Sequence, residues 1–243
     1  MEMLQIQAFP RCFSPSFAPA KHRFRRCSSY RAIVSVKVSA ESGLSLKIKE
    51  KASGISADLK GTSLFLVGVN SSYKSSLARI LADSLRYYYF DSDDLVEEAA
   101  GGKSVALSFL ERDEAGYLAL ETEVLKQLSS MGRLVVNAGN GSVKTAENLA
   151  LLRHGITVWI DVPLDLVVSD LNEDRIQLSV SDMAATRSSS SSDVLTQLTA
   201  LYNHAQPGYS TADATLSLQR VGLELGRDEL IGVTPEDLCI EVR

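Results

Sequence analysis

Between residues 63 and 85 the hydrophobic pattern changes period once, and that change restricts the fold more than any other feature of the 243-residue chain. Ser63-Leu64-Phe65-Leu66-Val67 is a short, almost continuous apolar run of the kind that forms a buried strand, whereas Leu77, Ile80, Leu81 and Leu85 recur at helical spacing. The segment joining them, Gly68-Val69-Asn70-Ser71-Ser72-Tyr73-Lys74-Ser75, keeps the outline of the phosphate-binding loop G-x-x-x-x-G-K-[ST], with Tyr73 where the second glycine belongs. In an intact loop, inward-pointing backbone N–H groups and the helix N-terminus hold phosphate. The lysine reaches the β- and γ-phosphates and the following hydroxyl ligates magnesium. Gly68, Lys74 and Ser75 are therefore candidate nucleotide-binding residues, and Ser75 is also a candidate magnesium ligand. A left-handed Tyr73 would cost about 1–2 kcal/mol, and its ring would compete for phosphate space. Mg-ATP is expected to bind weakly or not at all.

Apolar strand patterns and helical stripes alternate through the rest of the chain, which predicts an α/β fold with a central parallel sheet of about five strands flanked by helices. Tyr87-Tyr88-Tyr89-Phe90 reads as a second strand running into Asp91-Ser92-Asp93-Asp94, where Asp93 or Asp94 is placed to cap a helix over 95–100. Carboxylates at a strand's C-terminal end belong on the ligand side of a parallel sheet. Asp91 and Asp93 are accordingly candidate site residues. A short helix is expected at 105–110 and a longer one at 114–129. A third strand over 133–137 empties into the glycine turn Ala138-Gly139-Asn140-Gly141-Ser142, a fourth covers 157–161, and Pro163 opens the next helix. Between 172 and 192 the periodicity fails, and five consecutive serines follow Arg187, as in a lid or an insertion. A helix stripe returns at Val194, Leu195, Leu198, Leu201 and Tyr202, followed by a last strand over 214–218 and a closing helix over 235–242.

Residues 1–40 hold seven Lys or Arg against the single acid Glu2, with six serines and Pro10, Pro15 and Pro19. A basic, serine-rich, acid-poor start without a long apolar stretch has the character of an organelle transit peptide, here a plastid one addressing the stroma. Residues 41–58 show no clear period and read as a linker, leaving 59–243 as the domain. Removing the +6 of residues 1–40 from the total of −5 leaves −11, which argues against a nucleic-acid partner. No apolar run approaches the ~20 residues of a membrane span. Cys12 and Cys27 fall within the presequence, so Cys239 stands alone and neither a disulfide framework nor a zinc site is expected.

Several stretches together resemble the shikimate kinases, small P-loop kinases of the nucleoside monophosphate kinase type, and the likeness covers 59–243. They are Leu59-Lys60-Gly61-Thr62-Ser63, Phe90-Asp91-Ser92-Asp93, Leu128-Ser129-Ser130-Met131, Asp161-Val162-Pro163-Leu164-Asp165 and Leu198-Thr199-Ala200-Leu201. The resemblance implies transfer of the ATP γ-phosphate to the 3-hydroxyl of shikimate. It implies magnesium binding for Asp91 and a place beside a substrate hydroxyl for Asp93. It also implies that Gly139 and Gly141 belong to a substrate loop, and that Thr234-Pro235 correspond to the late adenine loop. Against the family pattern, Ser71 and Tyr73 replace two loop glycines and Asn140 replaces the middle glycine of the substrate loop. Leu118 and Ala205 stand where arginines would hold the substrate carboxylate, and Ser169 and Asp170 where arginines would contact adenine. The lid's Arg-Pro is missing, with Arg175 as the nearest substitute. Losing one partner of a buried charge pair costs about 2–5 kcal/mol, so two absent clamps imply a loss of about 10³-fold or more in shikimate affinity. A missing lid arginine would remove a further ~10³–10⁵ in rate.

Two functions follow from this pattern. The first is an inactive, plastid-located homologue of shikimate kinase serving plastid biogenesis through an unknown protein partner. The alternative is an active P-loop kinase using Lys74, Ser75 and Asp91 for Mg-ATP and Asp93 toward an alcohol other than shikimate, with Leu118 and Ala205 suiting a less acidic substrate.

Overall fold

In a computed structural model of the chain, contacts divide it between Lys37 and Val38, and the described residues are 38–172, 191–226 and 232–241. Arg175 and the serine run up to residue 190 lie outside them. Five parallel strands form one sheet: β1 (Leu64–Val67), β2 (Tyr88–Asp91), β3 (Leu134–Asn137), β4 (Ile156–Asp161) and β5 (Ala214–Ser217), in spatial order β2-β3-β1-β4-β5. Position in that order explains the composition of each strand. Central β1 and β3 are buried along their whole length and are the most uniformly apolar, while edge strands β2 and β5 carry Tyr88, Ala214 and Thr215 in the open.

The helices are α1 (Val38–Leu59), α2 (Ser72–Leu85), α3 (Ser92–Ala99), α4 (Lys103–Arg112), α5 (Glu114–Ser129), α6 (Ala146–Leu152), α7 (Leu164–Asn172), α8 (Ser191–Tyr209), α9 (Leu218–Glu224) and α10 (Pro235–Glu241). One core lies between the sheet and α1, α2 and α10, built on Leu66, Leu77, Leu81, Ile160 and Leu238. The other lies on the side of α5, around Phe65, Leu125, Leu134 and Tyr209.

Three local expectations are corrected. Residues 41–58, expected as a linker, are helical as part of α1, because Ile48, Ala52 and Leu59 recur on one face and are buried against α2 and α10. A pattern of seven and four residues separated by small and charged ones is too sparse to stand out before a partner face is known. The helix after β2 starts at Ser92, with Asp91 as its cap and not Asp93 or Asp94; the Asp91 carboxylate accepts from Asp93 N–H at 3.1 Å and Asp94 N–H at 3.4 Å. Helix α9 follows β5 directly where only a strand was expected.

Candidate nucleotide and substrate site

The loop leaves β1 at Gly68, whose φ of 130° lies in the region that favours glycine and where a Cβ would meet the Ile160 carbonyl. This is a requirement of the backbone itself, independent of any nucleotide. Ser71, buried and extended, caps α2: its Oγ accepts from Lys74 N–H at 3.2 Å. Tyr73 is the second residue of α2, and no positive φ occurs there. Left-handed strain is therefore absent, because Tyr73 already lies within the helix, and the ring packs against the apolar cluster under it.

Lys74 is fully buried. Its Nζ donates to Gly68 O, Asn70 Oδ1 and Ala138 O, each at 2.8 Å, so the three donors of the ammonium all have protein acceptors. Asn70 in turn donates through Nδ2 to Asp93 Oδ2 at 2.9 Å, joining the loop to the second aspartate. At the start of α2, one carboxylate oxygen of Asp170 accepts from Ser72 N–H at 3.0 Å and from Ser72 Oγ at 2.6 Å. Asp170 is 3% exposed, on α7, and a carboxylate in that place is favoured by the orphan N–H groups and the positive end of the helix dipole.

Ser75 and Asp91, expected as a magnesium pair, are brought together through Asn137 at the end of β3. Asn137 Nδ2 donates to Asp91 Oδ2 at 2.6 Å and to Ser75 Oγ at 3.4 Å. Asp91 also accepts from Tyr89 Oη at 3.3 Å. Burial, then the Asp91 carboxylate, push the Tyr89 hydroxyl up to about 12, while Arg79 lies 4.3 Å over its ring. Burial and then Asp91 likewise raise Asp94 above the usual carboxylate value. Among the described residues, no group of three or more His, Cys, Asp or Glu side chains is placed to hold a metal ion.

The glycine turn expected as a substrate loop forms a short 3-10 turn over Asn140–Val143. A Cβ on Gly139 would collide with the Asp93 carboxylate and one on Gly141 with the Glu121 carboxylate, so both glycines are needed for two acids to lie on the loop backbone. Between Ser92, Asp93, Glu121 and Ser142 there remains a cavity of about 10 Å³, room for roughly one water. Asn140 accepts from Tyr209 Oη at 2.7 Å, and the buried Tyr209 ring stacks on Trp159 at 5.9 Å. Leu118 and Ala205, at the arginine positions, are half-buried; Ala205 packs beside that aromatic group. Thr234 and Pro235, expected near adenine, start α10: Thr234 N–H donates to Asp237 Oδ2 at 3.0 Å and Asp237 N–H to Thr234 Oγ1 at 3.3 Å.

Asp170, Asn137 and Asn70 carry much of this arrangement. Of the three, only Asp170 had a signal in the sequence, as an acid in place of an arginine; the two amides become visible only when separate strands and loops converge.

A five-stranded parallel sheet in this order, with a lysine in the first turn of the helix that follows β1, defines the P-loop kinase fold of the nucleoside monophosphate kinase type. The shikimate kinase family profile matches residues 70–221, and the chain belongs to that family. It is 47% identical over 195 residues to "Probable inactive shikimate kinase like 1, chloroplastic" from Arabidopsis thaliana, covering 80% of this chain and 66% of that protein. It is 38% identical over 200 residues to "Shikimate kinase 2, chloroplastic" from Oryza sativa, covering 81% and 64%. The chain thus spans about two thirds of the length of these relatives. Among solved structures, shikimate kinase from Acinetobacter baumannii in complex with shikimate has the same fold, with a TM-score of 0.57 and 24% identity over 70% of this chain and 96% of that one. The plastid location expected from the N-terminus agrees with these relatives, and the protein is a chloroplast member of the family.

Proposed function

We propose that this protein is a non-catalytic member of the shikimate kinase family, which serves plastid development by binding a protein partner and not by transferring phosphate. The observation that carries this reading is the Asp170 carboxylate on the N-terminus of α2, the position at which such a loop offers its donors to phosphate. A nucleotide phosphate would have to displace a buried, doubly bonded carboxylate of the same charge sign. The Lys74 ammonium, matched by Gly68, Asn70 and Ala138, supports the same conclusion, since turning it toward a γ-phosphate would leave two buried carbonyls without their donor.

The residues present do not fit Mg-ATP. An amide N–H group of Asn137 points at both candidate magnesium ligands, which sets the positive end of a dipole where a cation would sit. No phosphoryl-transfer step is derived from this site. Gly68, Gly139, Gly141, Asp91, Thr234 and Pro235 have structural work in the fold, which supports their retention without catalysis.

The test is calorimetric titration of Mg-ATP into the full chain, with a coupled assay of shikimate-dependent ADP release, an active plastid shikimate kinase serving as the positive control. The expected result is no saturable heat and no turnover. A Kd tighter than about 1 mM for Mg-ATP, about 4 kcal/mol of binding, would overturn the reading, as would turnover of shikimate. Tight ATP binding without shikimate turnover would favour the kinase with a different alcohol substrate.

A further inference from the structure

The strands of a parallel sheet all begin at one edge, and at that edge, away from the Gly68–Lys74 loop, the core is not filled. A cavity of about 330 Å³ lies between α1, α2, α9, α10 and the first residues of β1, β4 and β5. Its walls are mainly aliphatic, with Ile48, Ala52, Ile55, Leu81, Ile156 and Leu216 the principal side chains, and the Cys239 thiol also faces it. Protein interiors pack as tightly as organic crystals and hold few voids larger than a water molecule. The cavity is partly open to solvent with polar groups at its rim, its aliphatic walls offer water few hydrogen-bond partners, and its volume falls at the lower end of the range of pockets that take small ligands.

A second, polar depression of about 650 Å³ is lined by residues of α1 and α2, and the two linings share Ala52, Ser84 and Leu85. Together their linings hold four cationic side chains, Lys49, Lys51, Arg86 and Arg220, against two acids, Asp83 and Glu224. A local cationic excess is notable on a chain whose residues from 41 onward carry −11 (−5 minus the +6 of residues 1–40). Arg220 pairs with Glu224 through Nε at 3.8 Å, and a guanidinium has five donors in all. Lys51 donates to the Ile240 carbonyl, which places its ammonium at the edge of the cavity beside α10.

We infer that this cavity forms a binding site for a single-chain anionic amphiphile, with the acyl chain among Ile48, Ala52, Leu81 and Leu216 and the carboxylate or phosphate head at its rim beside Lys51 and Arg220, with Lys49 and Arg86 in the neighbouring depression. The site uses no residue of the P-loop, so it stands whether or not the protein binds nucleotide. It gives the fold a ligand that an inactive kinase cleft does not supply.

The experiment uses the full chain with Cys12→Ser and Cys27→Ser, leaving Cys239 as its one thiol. Decanoate and decyl phosphate are titrated by calorimetry, with decyltrimethylammonium as the probe of opposite charge. The expected result is one saturable site per chain for the two anions, much weaker binding of the cation, and slower alkylation of Cys239 at saturation. Ala52→Phe, which fills the cavity, should weaken decanoate binding by about tenfold or more, equivalent to about 1.4 kcal/mol. Arg220→Glu, on the exposed rim, should weaken both anions several-fold and narrow the gap to the cation. If Ala52→Phe fails to fold by circular dichroism, Ile55→Trp at the margin of the same cavity provides the same readout. Absence of saturable binding overturns the inference. So does binding unaffected by the cavity-filling variant, or alkylation of Cys239 unchanged at saturation. Equal affinity for the cation overturns the assignment of the head group.

Discussion

Replacing Asp170 by asparagine keeps the size of the side chain and one acceptor oxygen but removes the charge from the start of α2. In the structure a single oxygen of a 3%-exposed carboxylate accepts from both Ser72 N–H and Ser72 Oγ. A side-chain bond to an orphan N–H at a helix start is worth about 1 kcal/mol, and the attraction of a carboxylate to the helix dipole adds ~0.3–1 kcal/mol, rising to ~2 where the pair is partly buried. Asparagine preserves part of the first and loses the second, so Asp170→Asn should destabilise the fold by about 1–2 kcal/mol. With a urea m value of about 1–3 kcal/mol/M, the unfolding midpoint falls by about 0.3–2 M. Ser72→Ala removes the other partner, and the double variant should lose less than the sum of the singles, with a coupling of at least ~0.5 kcal/mol. Added inorganic phosphate should stabilise Asp170→Asn more than the parent, because the neutral side chain no longer repels an external anion from the helix start. An unchanged midpoint, or strictly additive losses, would refute the assignment of Asp170 as the resident anion of α2.

Gly68→Ala introduces a Cβ at φ 130° against the Ile160 carbonyl and should cost about 2–4 kcal/mol; a neutral result in urea unfolding would show that this glycine is not a structural requirement. Tyr209→Phe removes the 2.7 Å bond to Asn140 while leaving the stack on Trp159, so stability should fall by about 1–2 kcal/mol with Trp159 emission unshifted. Burial, then Glu236, push the Cys239 thiol up to about 11 from 9.0, with Lys51 opposing. Its thiolate fraction at pH 8 is therefore about 10²-fold below that of an ordinary cysteine, and iodoacetamide should modify it correspondingly slowly. The unfolded chain loses this proton first as pH rises, so the stabilising contribution is complete below pH 9 and lost between about 9 and 11, on the order of 2 kcal/mol in all. A denaturation midpoint flat across that interval in the parent, but unchanged too in Cys239→Ser, would show that the thiol does not contribute.

The sequence by itself determined the order and type of most elements. The apolar run at 63–67, the stripe from Leu77 to Leu85 and the alternation that follows are local signals, because a strand buried on both faces and a helix with one buried face each impose a period on their own residues. Gly68, Lys74, Ser75 and the Asp91–Asp93 pair were legible for the same reason, each lying within one strand-to-helix junction. What the sequence could not decide is which of these groups point at each other. Tyr73 signalled a strained loop, yet the helix absorbs it without a positive φ. The linker stretch became α1 once a partner face was present to bury Ile48, Ala52 and Leu59. Only the tertiary structure brings Asp170, 98 residues away, onto Ser72, places Asn137 between Ser75 and Asp91, and lays the Asp93 and Glu121 carboxylates against Gly139 and Gly141. Those contacts join different elements, and their energy depends on distance and burial in three dimensions, which no local pattern of residue types encodes.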